Sequence, residues 1–122
     1  MTPLMHELME ILGRKRFPLE DEKQTQACIY HALCVPPVGG RVFWASVNRE
    51  VRIAGGIIDV MVDDIGIEVK IKGAGASIIR QVRNYLAEPR INGLLLMTSK
   101  PVDVSGVVGK PVAVVDMARA WL

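Results

Sequence analysis

The stretch "IIDVMVDDIGIEVKIKG", residues 57–73, places Asp59, Glu68 and Lys70 among alternating apolar residues. Its two apolar halves read as strands, and Asp63–Asp64 between them reads as a tight turn. The turn sets the pairing. If Val62 faces Ile65, Asp59 faces Glu68; if Asp63 faces Gly66, Asp59 faces Lys70. Opposed residues share a face of a sheet, and so do Glu68 and Lys70, two apart on one strand. Either register therefore gathers all three charges on one side. Ile58, Val60, Val62, Ile67, Val69 and Ile71 are left for the other side, a suitable core face.

The flanks extend this hairpin into a domain. "TPLMHELMEILG" (2–13) reads as a helix capped by Thr2, with Pro3 in its first turn, Gly13 at its end and Leu4, Leu8, Ile11 and Leu12 inward. "PLEDEKQTQACIYHALC" (18–34) reads as a second helix entered through Pro18, with the stripe Glu22, Gln26, Ile29, Leu33; Pro36 and Pro37 stop it. "RVFWASVNREVR" (41–52) has the β-branched and aromatic character of a strand. "ASIIRQVRNYLAE" (76–88) reads as a helix with Ile78, Ile79, Val82 and Leu86 inward. "INGLLLMTSK" (91–100) reads as a buried strand, and the last residues as a short strand and a terminal turn or helix. Short connections make the first three strands an antiparallel meander, and the following helix carries the chain to a parallel partner. The expectation is one α/β domain over residues 1–122, with a mixed central sheet and helices on both faces.

Composition narrows the function. Half of the 122 residues are apolar, only 5% are aromatic, and the net charge is +2, too mild for a chain that coats nucleic acid; any basic surface must be local. Arg14–Arg16 form one such cluster, either a solvated helix end or a phosphate-contacting patch. Cys28 and Cys34 are six apart in a helix, about 9 Å along it and about 240° around it, which prevents a disulfide and reads as two buried thiols in a reducing compartment. No apolar run approaches ~20 residues and the start is not a secretory signal, so a soluble, cytoplasmic protein is expected.

Two carboxylates on one sheet face repel, and a divalent cation removes the conflict. Mg²⁺ prefers oxygen ligands and keeps several waters. Held by Asp59 and Glu68, it could polarise a phosphate and acidify a bound water, with Lys70 beside that water to stabilise charge on a phosphorane-like transition state. The acid-x-Lys pattern alone is weak, since Asp21–Lys23 also matches it. A cross-strand ion cluster of no chemical consequence is the plain alternative. The surroundings add weight: Glu22 on the second helix, Gln81 and Tyr85 four apart on the third, and Arg80 and Arg83 nearby.

This set resembles the PD-(D/E)XK nuclease superfamily over about residues 18–100. The resemblance implies an αβββαβ core preceded here by an extra helix, which is free for a homodimer contact or a substrate wall. It matches Glu22 (with Glu20 as fallback) to the helix acid, Asp59 to the second-strand acid, and Glu68 and Lys70 of "EVK" to the third-strand pair. Gln81 and Tyr85 of "RQVRNYL" look like the helix glutamine and tyrosine of RecB-like and VRR-NUC members. Ile58 stands where many members have proline. The resemblance implies a Mg²⁺- or Mn²⁺-dependent nuclease of phage, repair or recombination type. Asp59 and Glu68 would be the metal ligands, with Glu22, Lys70 and Gln81 catalytic and Lys72, Arg80, Arg83 and Tyr85 on the nucleic acid. With no sequence-reading module in the chain, the DNA would be recognised by branched structure or free ends. A nuclease fold without catalysis, binding nucleic acid or protein, is the alternative.

Overall fold

A computed structural model describes residues 1–35 and 44–122. Helices α1 (Pro3–Gly13) and α2 (Glu22–Cys34) precede the meander β1 (Val47–Ile53), β2 (Gly56–Val62) and β3 (Ile65–Lys70). Helix α3 (Gly75–Leu86), strands β4 (Gly93–Thr98) and β5 (Val112–Asp116) and a terminal 3₁₀ turn (Met117–Trp121) follow. The sheet order is β1-β2-β3-β4-β5; β1–β2 and β2–β3 pair antiparallel, β3–β4 and β4–β5 parallel. The architecture is thus the expected α/β arrangement with a mixed sheet and an extra N-terminal helix. The expected end of α2 at Pro36–Pro37 and the start of the first strand at Arg41–Phe43 lie outside the described residues. Among the described residues, no helix is long and apolar enough to cross a membrane.

Two apolar layers sandwich the sheet. On one face α1 and α2 bury Met5, Leu8, Leu12, Ile29 and Leu33 against Val60, Val62, Ile65, Ile67, Val69 and Leu95. On the other, α3 buries Ile78, Val82, Tyr85 and Leu86 against Ile53, Ile58, Met61, Leu94 and Leu96. The continuous apolar run of β4 is explained by this burial on both sides.

Local differences have local causes. α1 turns Met5 inward in place of Leu4, which with Ile11 is only half-buried. Gly93 makes the room: a Cβ there would come 2.6 Å from the Met5 sulfur. The extra helix is therefore an integral part of the core. α2 begins at Glu22, four residues later than expected, because Asp21 caps it by accepting from the Lys23 N–H at 3.0 Å. Glu20 falls outside the helix, which removes it as the fallback acid. On α3, Tyr85 joins the buried stripe and Ile79 is half-buried. Cys28 and Cys34 are free thiols as expected, but half-buried and exposed, not core residues.

Candidate active site

The β2–β3 turn settles the register as Val62↔Ile65, Met61↔Gly66 and Val60↔Ile67. Asp63 takes φ 51° at the turn, which Asp tolerates, and its carboxylate is held by the Ala45 and Ser46 N–H groups at 3.0 and 2.9 Å. Continued by one residue, this register sets Asp59 opposite Glu68. The strands do not pair there in the ordinary way. The Asp59 N–H donates to Glu68 Oε1 at 3.2 Å, and Asp59 Oδ2 accepts from the Val69 N–H at 2.8 Å. Each carboxylate thus replaces a ladder partner, and both are fixed by backbone.

Tyr85, Gln81 and Lys70 complete the cluster. The Tyr85 hydroxyl lies 2.9 Å from Glu68 Oε2 and 3.1 Å from the Ile57 carbonyl oxygen, and it accepts from Gln81 Nε2 at 2.5 Å. Lys70 Nζ stands 3.6 Å from Glu68 Oε2. Glu68 is 3% exposed; Asp59, Lys70 and Gln81 are half-buried. The structure thus brings Asp59, Glu68, Lys70, Gln81 and Tyr85 into one connected group. Tyr85, expected on the nucleic acid, is only 2% exposed and instead orients Glu68 from beneath. Burial, and then Glu68, hold its hydroxyl well above the usual tyrosine range.

Glu22 lies on α2, as expected, and reaches the end of the strand that carries Glu68 and Lys70. Its Oε1 accepts from the Ile71 and Lys72 N–H groups at 2.8 and 3.1 Å, just past the end of β3. It ties α2 to the strand that carries Glu68 and Lys70. Among the described residues, no three His, Cys, Asp or Glu side chains converge as a ready metal cluster. The candidate donor set is therefore the pair Asp59 and Glu68. Lys72, Arg80 and Arg83 are exposed, with Arg83 also donating to the Gly106 carbonyl at 3.4 Å. The Arg14–Arg16 cluster is partly engaged elsewhere: Arg14 pairs with Glu10, and Arg16 donates to the Ala120 carbonyl and lies 5.4 Å over the Trp121 ring.

The pair carries an electrostatic conflict. Burial, and then the neighbouring Asp59 charge, push the Glu68 carboxyl up to about 8 from 4.5; Lys70 pulls the other way. This shift predicts a pH dependence for the metal-free protein. The folded state holds a proton that the unfolded chain releases, so the contribution of Glu68 to stability is full below about pH 4.5, is lost as pH rises towards 8, and levels off above. At about 1.4 kcal/mol per pKa unit, a rise from 4.5 to about 8 makes the fall on the order of 5 kcal/mol. Urea denaturation in chelator at pH 5, 6, 7 and 8 measures it. A flat profile, or one unchanged by Glu68→Gln, would show that Glu68 is ordinary.

Two further features lie beside the cluster. Gln26 is buried at the α2–β1 junction, where Arg49 donates to its Oε1 at 2.8 Å and lies 5.8 Å from the Tyr30 ring. Glu50 occupies β1 at the level of Asp59 with φ 51°. Only the two-residue turn at Ala54–Gly55, which pairs Ile53 with Gly56, could have signalled that alignment.

Compared with models of protein families, with curated proteins and with solved structures, the chain finds no match.

Proposed function

We propose that the protein is a metal-dependent nuclease that hydrolyses phosphodiester bonds in DNA. The observation that carries this reading is the opposed pair Asp59 and Glu68, each oriented by a backbone N–H, with the Lys70 ammonium 3.6 Å from Glu68. The donor set fits Mg²⁺ or Mn²⁺: hard oxygens, two carboxylates in conflict without a cation, and open coordination left for water and phosphate. Asp59 and Glu68 would hold the ion, which when bound supplies Lewis-acid polarisation of the phosphate and a more acidic water.

The chain's own groups do the rest. The Val69 N–H fixes Asp59 Oδ2, while the Asp59 N–H and the Tyr85 hydroxyl fix the two oxygens of Glu68. Gln81 holds the Tyr85 hydroxyl from its acceptor side. Lys70 supplies a compact positive charge for the attacking water and for the charge that grows on the phosphate oxygens. Lys72, Arg80 and Arg83 offer exposed cations for neighbouring phosphates.

The deciding experiment is cleavage of labelled linear, nicked, flapped and four-way DNAs, and of RNA, with Mg²⁺ and with Mn²⁺. Metal-dependent products from any of them support the reading. Tight binding without cleavage would favour the silent nucleic-acid-binding alternative. Binding itself is expected to be backbone-electrostatic. With about three to five phosphates contacted, log affinity against log salt on duplex DNA, measured in Ca²⁺ to prevent cleavage, should have a slope of about −3 to −4. A slope near zero would remove Lys72, Arg80 and Arg83 from the interface.

A further inference from the structure

We propose that Glu50 is a positioning residue for Asp59, acting through its left-handed backbone and not through its own charge. The inference rests on the reading of Asp59 as a metal ligand.

The β1–β2 ladder keeps one register on both sides of this level, with Arg49↔Val60 below and Val51↔Ile58 above. No residue is inserted, yet the intervening pair, Glu50 and Asp59, is missing from the ladder. Asp59 also has no partner in the β2–β3 ladder, which stops at Val60↔Ile67. It is released on both sides at once.

The two strands change faces at the same level. Side chains two apart on a regular strand point the same way. Here Val60 packs with the α1–α2 layer and Ile58 with the α3 layer. On β1, Arg49 reaches Gln26 on α2, whereas Val51 and Ile53 pack with the α3 layer. This corrects the expectation that Ile58 shares a face with Val60 and Val62. Such a reversal requires a residue to leave β geometry, and on β1 that residue is Glu50, with φ 51°. Asp59 has no positive φ of its own. The turn is therefore imposed from β1, and Asp59 follows it, freeing its N–H for Glu68 and its carboxylate for Val69.

The Glu50 side chain does little that would explain the position. It meets Lys23 Nζ at 3.2 Å, with both side chains at least half exposed. A glutamate forced into the left-handed region, where glycine and asparagine sit readily, points to a demand made by the site.

The test is a series at position 50 graded by tolerance of positive φ: Glu50→Gly, Glu50→Asn, Glu50→Ala and Glu50→Val. Two quantities are read: Mn²⁺ affinity by calorimetry, and hydrogen-exchange protection of the Val69 amide without metal. Glu50→Gly and Glu50→Asn should keep both close to the parent. Glu50→Val should lose affinity about 10–100-fold, the range for losing a group that orients a ligand, and should deprotect the Val69 amide while far-UV circular dichroism is retained. Glu50→Ala should fall between; if Glu50→Val does not fold, the contrast of Ala with Gly decides. Equal values across the series would overturn the proposal. So would a loss in Glu50→Gly as large as in Glu50→Val, which would assign the effect to the carboxylate and Lys23. If the parent protein binds no Mn²⁺, the metal reading fails, and the Val69 amide still reports whether position 50 places Asp59.

Discussion

Asp59→Asn and Glu68→Gln are each expected to abolish metal-dependent cleavage while leaving the fold in place. Each replaces a charged oxygen ligand by a neutral amide, a poorer partner for Mg²⁺. The loss should exceed the roughly 10–100-fold that follows from removing a group which merely orients a ligand. The fold should survive because the substituted side chains keep an acceptor for the N–H groups that hold them: Val69 for Asp59, and Asp59 for Glu68. Glu68→Gln has a further signature. The amide resembles the protonated acid, and the Glu68 carboxyl is raised to about 8. The variant should match the parent near pH 4.5 without metal and exceed it by a margin that grows as pH rises to 8 and is then constant. Single-turnover cleavage and denaturation on the same preparations measure both. Full activity in either variant would dissolve the assignment of the pair.

Lys70→Ala should stop cleavage by a different route, with metal binding kept or tightened. The ammonium lies 3.6 Å from Glu68 Oε2, close enough to repel a cation bound there. Its removal strengthens the carboxylates as a metal site but deletes the charge beside the reacting phosphate. Loss of one such preorganised group costs about 10²–10³ in rate. The affinity is best measured above pH 8.5. Lys70 normally lowers the Glu68 value, so in Lys70→Ala the carboxyl keeps its proton to higher pH and that proton competes with the ion. Lys70→Arg should rescue poorly, because a planar fork does not replace a compact charge. Retained cleavage, with a stability loss of under ~1 kcal/mol, would reduce Lys70 to a salt-bridge partner.

The hairpin was legible because two apolar runs flank Asp63–Asp64, residues 65–71 alternate, and both registers open to the turn bring the same three charges to one face. The third helix was legible for a similar reason, with Ile78, Val82 and Leu86 at helical spacing. Three things were not. Met5 displaces Leu4 because a glycine on β4, almost ninety residues away, leaves a gap for its sulfur. Tyr85, expected on the nucleic acid, is placed only once Glu68 is known to sit buried opposite it, needing a donor. Ile58 breaks strict alternation because the strand turns over beside it, and no residue in β2 announces the turn. The cause is a glutamate on the neighbouring strand, in a conformation that its side chain does not favour. Pairwise geometry across strands, set by tertiary structure, decides each case; local pattern does not.

The left-handed residue has a consequence for the behaviour of the protein in concentrated solution. Among the described residues β1 is the outer strand of the sheet, and an outer strand offers unpaired donors and acceptors to any second sheet that approaches. Glu50 breaks that row at mid-length, and Asn48, Arg49 and Arg52, exposed around it, surround it with polar and charged groups. A bent, charged border cannot be continued in register by another molecule. The residue that turns Asp59 towards Glu68 thereby also guards against edge-to-edge aggregation, so substitutions that straighten β1 should trade colloidal solubility for regularity.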